Sequence, residues 1–124
     1  MKLLDTTVAI DYLRGRDEAR ALIDGLLLRE PVAASEVVRF EVLAGTRRDE
    51  LGVVERFCSA FSWLPVTADV SRTAAALARR YRAAFSGIDD VDYLIAASAI
   101  VADAEMLTTN VRHFPMFEGL TPPY

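Results

Sequence analysis

Four short apolar runs punctuate the chain: "KLL" from Lys2, "VAA" from Val32, "SWLPV" from Ser62 and "EMLTT" from Glu105. Segments with helical spacing fill every interval between them. This alternation is the strongest constraint on the fold. Parallel strands need a crossover connection, usually a helix, so strands that alternate with helices predict a parallel sheet covered on both faces. The chain is therefore read as α/β, an open sandwich with a central, mainly parallel sheet. In such a sheet the ligand site is expected beyond the carboxyl ends of the strands. At 124 residues, one domain spanning 1–124 is long enough to bury a core.

Local signals set the helix boundaries. The segment "TTVAIDYLRG" carries helical spacing at Val8, Tyr12 and Leu13 until Gly15 stops it. Asp17 is expected to cap a helix through "EARALIDGLLL", and Pro31 to break the chain before the second strand. Ser35 should cap a helix closed by Gly45, and Asp49 should open one through "ELGVVERFCSAF". Thr67 or Asp69 caps a long Ala- and Arg-rich helix to about Phe85, and Asp89 or Asp90 caps the next. The Ala-rich run from Leu94 to Ala102 suits close packing on a sheet. The loop "NVRHFPMF" follows the last run, and "GLTPPY" is expected to add a final strand before Pro122.

Bulk properties exclude several classes. No apolar run approaches the roughly 18 residues of a membrane span, and Asp5 and Asp11 interrupt any signal-peptide core at the start. A cytoplasmic protein without membrane attachment is expected. The single cysteine, Cys58, allows no intramolecular disulfide or Cys-based metal site, and is read as packing. A net charge of −4 argues against gripping nucleic acid with the whole surface, so any such contact must be local. Lys2 is the one lysine. The arginines gather at Arg47 and Arg48, and at Arg79, Arg80 and Arg82. They suit bidentate contacts to phosphate or carboxylate, and equally suit solvated helix faces.

One residue breaks the helical pattern of "SEVVRFEVLAG". At about 100° per residue, Val37, Val38, Val42, Ala44 and Gly45 share an arc, while Ser35, Glu36 and Arg39 lie opposite. Glu41 falls near the middle of the apolar arc. An ionised carboxylate withdrawn from water costs several kcal/mol unless something pairs with it. An arginine elsewhere, a rotated and wet helix, or a cleft of acids around a metal would each answer. Two further acids bear on the choice. Asp5 ends the first strand, and Asp92 lies in the first turn of its helix on the side of Ile95, Ala96 and Ala99. Singly, Asp5 could be a cap, Asp92 a residue favoured by the helix dipole and Glu41 half of a salt bridge. Together they bring three carboxylates to one edge of the sheet. Oxygen ligands without His or Cys suit Mg²⁺ or Mn²⁺, an ion able to support attack on a phosphodiester.

Four blocks, "LLDTTVAIDYLRG", "SEVVRFEVLAGTRR", "DDVDYLIAASA" and "LTTNVRHF", resemble the signature blocks of PIN-domain proteins, in order and over nearly the whole chain. The short form looks like the VapC-type ribonuclease toxins of toxin–antitoxin pairs. The resemblance implies a PIN-like three-layer α/β/α sandwich, Mg²⁺- or Mn²⁺-dependent endoribonuclease activity on RNA, a homodimer and a cognate antitoxin. By position it makes Asp5, Glu41 and Asp92 the catalytic, metal-binding acids. Asn110, Thr108, Thr6 and Ser35 are expected as weak ligands or supports. Arg47, Arg48, Arg79, Arg80 and Arg82 become candidates for RNA or antitoxin contact. The final block departs from the pattern, because its usual fourth acid is replaced by Asn110 or, before the Phe, by His113. Asn110 can offer only a neutral carbonyl oxygen, which puts a second metal in doubt. His113 is read as a loop residue, since nothing pairs it with a serine or cysteine.

Three other readings stand beside this one: a metal-dependent nuclease of wider substrate range, an inactive PIN-like protein-binding module, and a phosphoacceptor receiver domain. The receiver needs a late lysine that this chain lacks. For assembly, Phe40 and Leu43 lie off the inward arc and Tyr12 and Leu13 end another apolar face, which suggests partner surfaces.

Overall fold

A computed structural model describes residues 1–124. Its sheet has four parallel strands, β1 (Lys2–Leu4), β2 (Val32–Ser35), β3 (Ser62–Leu64) and β4 (Glu105–Leu107), in the order β3-β2-β1-β4. Helices α1 (Thr6–Leu13) and α2 (Asp17–Leu27) join β1 to β2. Helices α3 (Glu36–Ala44) and α4 (Leu51–Cys58) join β2 to β3, and α5 (Ala68–Tyr81) and α6 (Asp90–Val101) join β3 to β4. The order sets the first and last strands side by side. Leu4 pairs with Leu107, so the residues just beyond them, Asp5 and Thr108, leave the sheet together.

The central strands β1 and β2 are mostly buried because helices flank the sheet, and they read as continuous apolar runs for the same reason, while the edge strand β3 is only partly covered. All of β2 is buried, with Val32, Ala33, Ala34 and Ser35 at 1% exposure or less. Small residues there let helices approach closely. The main core joins Leu3 and Leu4 of β1, Ile23 of α2, Val38 and Val42 of α3 and Ile95 of α6. Helix α6 is buried on nearly every side. Ile95, Ala96 and Ala99 face the main core, while Tyr93 and Ala97 pack with Val70 and Ala74 of α5. An Ala-rich helix suits that place, since only small side chains fit between a sheet and a second helix. Cys58 is buried in the main core, as its packing role requires.

Several boundaries differ from the sequence reading. Thr67, not Asp69, caps α5 by accepting the Val70 amide, and the helix ends at Tyr81 rather than near Phe85. Asp17 lies inside the first turn of α2, whose N-cap is Arg16, and Asp49 lies in a short 3₁₀ turn, Arg48–Glu50, ahead of α4. Ala44 and Gly45 are exposed, so the inward arc of α3 narrows to Val38 and Val42 at the end of the helix. The closing "GLTPPY" forms no strand. Pro122 and Pro123 have no amide to donate to a ladder. Instead the tail runs back to α1, where the Tyr124 hydroxyl donates to Asp11 Oδ2 at 2.6 Å and the Arg16 guanidinium lies over the Tyr124 ring. No helix is long and apolar enough to cross a membrane.

Candidate active site

Asp5 is the first residue past β1 and the N-cap of α1. Its amide donates to the Leu107 carbonyl across the β1–β4 pair, which holds it at the rim. The residue is only 3% exposed. Two hydroxyls donate to its Oδ2, from Thr108 at 2.7 Å and from Thr7 at 3.1 Å. Each hydroxyl oxygen is itself fixed by an amide, Asn110 to Thr108 at 3.0 Å and Thr109 to Thr7 at 3.3 Å. No side-chain donor reaches Oδ1. Burial pushes the Asp5 carboxyl above the usual carboxylate range, opposed by these hydrogen bonds and by the nearby His113.

Asp92 is held differently. It is the third residue of α6, and it closes a capping box with Asp89. The Asp92 amide donates to Asp89 Oδ1 at 3.1 Å while Asp92 Oδ2 accepts the Asp89 amide at 3.3 Å. The same Oδ2 lies 2.9 Å from His113 Nδ1. Desolvation raises the Asp92 pKa to about 6, helped by the negative charges of Asp89 and Asp5 and opposed by the Asp89 amide and by His113. His113 is therefore more than a loop residue, because the 3₁₀ turn Val111–His113 brings its ring to an acid of the site. Sequence reasoning missed this contact. Its one signal was the position of His113, where the resembling blocks often carry an acid.

Glu41 projects from α3 toward α1, where its Oε1 accepts the Thr6 hydroxyl at 2.6 Å. It has no arginine partner and it is half-buried, so neither a salt bridge nor full exposure accounts for it. It lines a small cleft of about 210 Å³ between Ile10, Arg14, Val42 and Thr46. Ser35 accepts the Val37 amide and so caps the helix that carries Glu41.

The three acids are thus tied to a common rim through Asp5 and its neighbour Thr6, but they do not close on one point. As placed, no three Asp, Glu, His or Cys side chains stand close enough to share a metal ion. The donor chemistry nonetheless suits a hard divalent cation. Asp5 is buried, Asp92 is half-buried and the two repel each other, and the one cationic side chain in contact with either is His113, if protonated. Asn110 is half-buried at the start of the Val111–His113 turn, with only its backbone engaged, its amide donating to Thr108. The arginines divide. Arg47 pairs with Asp49 and Glu50, and Arg82 with Asp90 at 2.7 Å, next to the start of α6. Arg48 and Arg79 are exposed, and Arg80 lies over the Tyr81 ring.

A strand-end aspartate beside a second acid at a helix start, on a four-stranded parallel sheet, defines an α/β protein with an acidic rim. The sequence model of the PIN domain matches residues 2–117, and the chain belongs to that family. It is 60% identical over 125 residues to a Mycobacterium tuberculosis protein named Ribonuclease VapC19, with all of both chains covered. It is 41% identical to Ribonuclease VapC10 of the same species, covering all of this chain and 93% of that one. Among solved structures, a toxin–antitoxin complex from Klebsiella pneumoniae superposes with TM-score 0.83 at 26% identity, over 100% of this chain and 98% of that one. FitAcB from Neisseria gonorrhoeae shares the fold, with TM-score 0.81 at 23% identity over 99% and 98% of the two chains.

Proposed function

We propose that the chain is a metal-dependent endoribonuclease, cleaving RNA phosphodiester bonds as the toxin of a toxin–antitoxin pair. The observation that carries this reading is a pair of carboxylates at one rim, Asp5 buried and Asp92 half-buried, with no lysine or arginine against them. The names of the full-length relatives, ribonucleases both, point the same way. Asp5, Asp92 and Glu41 would hold Mg²⁺ or Mn²⁺ once the ion draws their side chains, too far apart as placed to share it, onto one point. When bound, such an ion lowers the pKa of water and neutralises charge that builds up on a phosphodiester. Asn110 adds an oxygen without charge, so one ion is expected in the free protein.

The chain's own residues supply orientation. Thr108 and Thr7 fix one Asp5 oxygen and leave the other clear of side-chain donors. Thr6 steadies Glu41, and the Asp89 amide and His113 orient Asp92. With a pKa of about 6, Asp92 is mostly ionised at neutral pH and becomes neutral as pH falls below that value.

An antitoxin would be the inhibitory partner, as the solved complexes suggest. A second apolar cleft of about 310 Å³, lined by Tyr12, Ile23, Leu27, Phe57 and Phe61 and flanked by Arg20 and Arg56, suits an apolar and acidic segment of such a protein. Phe40, at 68% exposure, offers an apolar contact for a homodimer. Incubating the protein with RNA and with single-stranded DNA, in Mn²⁺ and in EDTA, tests the main reading. Metal-dependent cutting of RNA alone is expected. Equal cutting of DNA would favour a nuclease of wider range, and no cutting of either would leave a binding module.

A further inference from the structure

An open cleft of about 560 Å³ begins one side chain away from the Asp92 carboxylate. Ala84, Phe85 and Ser86 line one part of it, and Val111, Arg112, His113 and Pro115 the other. His113 belongs to both places, since its Nδ1 contacts Asp92 Oδ2 while the residue lines the cleft. Phe85 stands just past α5, packed on Tyr81 with ring centroids 5.9 Å apart, and remains 41% exposed. Arg112 is exposed and meets no carboxylate. A neighbouring depression adds Arg79, also unpaired, so local positive charge collects beside an otherwise acidic protein.

From this arrangement we propose that the Phe85–Arg112 cleft is a subsite for one unstacked nucleotide of single-stranded RNA, next to the bond being cut. The assignment rests on the ribonuclease reading and specifies its substrate. The base stacks on the Phe85 ring, and the adjoining phosphate meets Arg112. An aromatic ring can take only a base that has left its helix, so the subsite selects single strands, loops or bulges over duplex. Beside Arg112, its only side chains able to reach a base edge are Ser86 and His113, so its sequence preference is weak. The cations also solve a charge problem. A strand approaching the acidic rim on a protein of net charge −4 needs a local anchor.

The test measures binding of a fluorescein-labelled single-stranded 12-nucleotide RNA, and of the same RNA annealed to its complement, with EDTA present to prevent cleavage. Phe85→Ala should weaken single-strand binding at least about fivefold, on the scale of one stacked base, and leave duplex binding unchanged. Phe85→Tyr should restore it. Arg112→Ala should weaken both and lower the salt dependence by about one phosphate contact. Arg29→Ala, at an exposed arginine near the end of α2, is the charge control and should change neither. In Mn²⁺, Phe85→Ala should raise KM for the single strand with kcat kept. Unchanged single-strand affinity and KM in Phe85→Ala, with wild type cutting RNA, would overturn the subsite alone. If wild type neither bound nor cut RNA, the ribonuclease reading would fall and take the subsite with it.

Discussion

Asp5 and Asp92 lie at the same rim, and burial raises both pKa values, yet the fold supports them by different means. Asp5 emerges from the sheet, nearly inaccessible, and two threonine hydroxyls, Thr7 from the adjoining α1 and Thr108 from beyond β4, hold one of its oxygens. Asp92 sits at a helix start, less buried, held by its own capping box and by one histidine, with Asp89 adding a second negative charge nearby. A carboxylate fixed by strand register is a rigid reference point. One fixed by a helix cap and a loop histidine depends for its support on the turn after β4.

The largest expected effect is on catalysis. Asp5→Asn and Asp92→Asn should each reduce Mn²⁺-dependent RNA cleavage by about 100-fold or more, the scale seen when one preorganised electrostatic group is removed. Wild-type cleavage by either variant would remove that acid from the site.

Stability separates the two supports next. Thr108→Val removes a donor to a buried carboxylate and the acceptor of the Asn110 amide, and should cost about 1–3 kcal/mol. His113→Ala should cost less, because Asp92 keeps the Asp89 amide and some solvent. Thermal melts of the metal-free variants test the order, and a reversal would mean that the Asp92 support is the firmer one.

Asp92 also carries a pH signature. Its folded pKa of about 6 lies above the ordinary 3.8, so the folded chain holds a proton that the unfolded chain releases between those values. Stability from this group is therefore full below about pH 4 and is lost as pH rises through 6. Metal-free Asp92→Asn should melt a few degrees above wild type at pH 7.5, and the gain should vanish at pH 4. A gain equal at both pH values would show that the charge of Asp92 is not its source.

The smallest effect is expected at Asn110, whose amide donates to the Thr108 hydroxyl that holds Asp5. Asn110→Asp should tighten Mn²⁺ binding in the free protein by calorimetric titration, because a charged oxygen replaces a neutral one. Two tight sites already present in wild type, or no gain in the variant, would refute the single-ion reading.

Features that depend on neighbouring residues were legible in the chain. The alternation of apolar runs with helical segments foretold the parallel sheet, the cap at Ser35 was readable from residue type and spacing, and that of α6 was narrowed to Asp89 or Asp90, of which the structure uses Asp89. Asp5 was placed correctly at a strand end because a short apolar run stops there. Helix ends were read less well. Helix α5 stops at Tyr81 and the tail forms no strand, since packing and two prolines outweigh local pattern.

What only the tertiary structure decided is which distant groups meet. The Thr108 hydroxyl reaches Asp5 across 103 positions because β1 and β4 are neighbours in the sheet, an order that no local pattern encodes. His113 reaches Asp92 across 21 positions because the turn after β4 folds back on the start of α6. Glu41 was seen to face inward, but its Thr6 contact across 35 positions depends on how α1 packs against α3. The acids themselves could be read from the chain because periodicity and strand ends are local. Their partners could not, because each is chosen by the relative placement of whole elements, which burial of the common core decides.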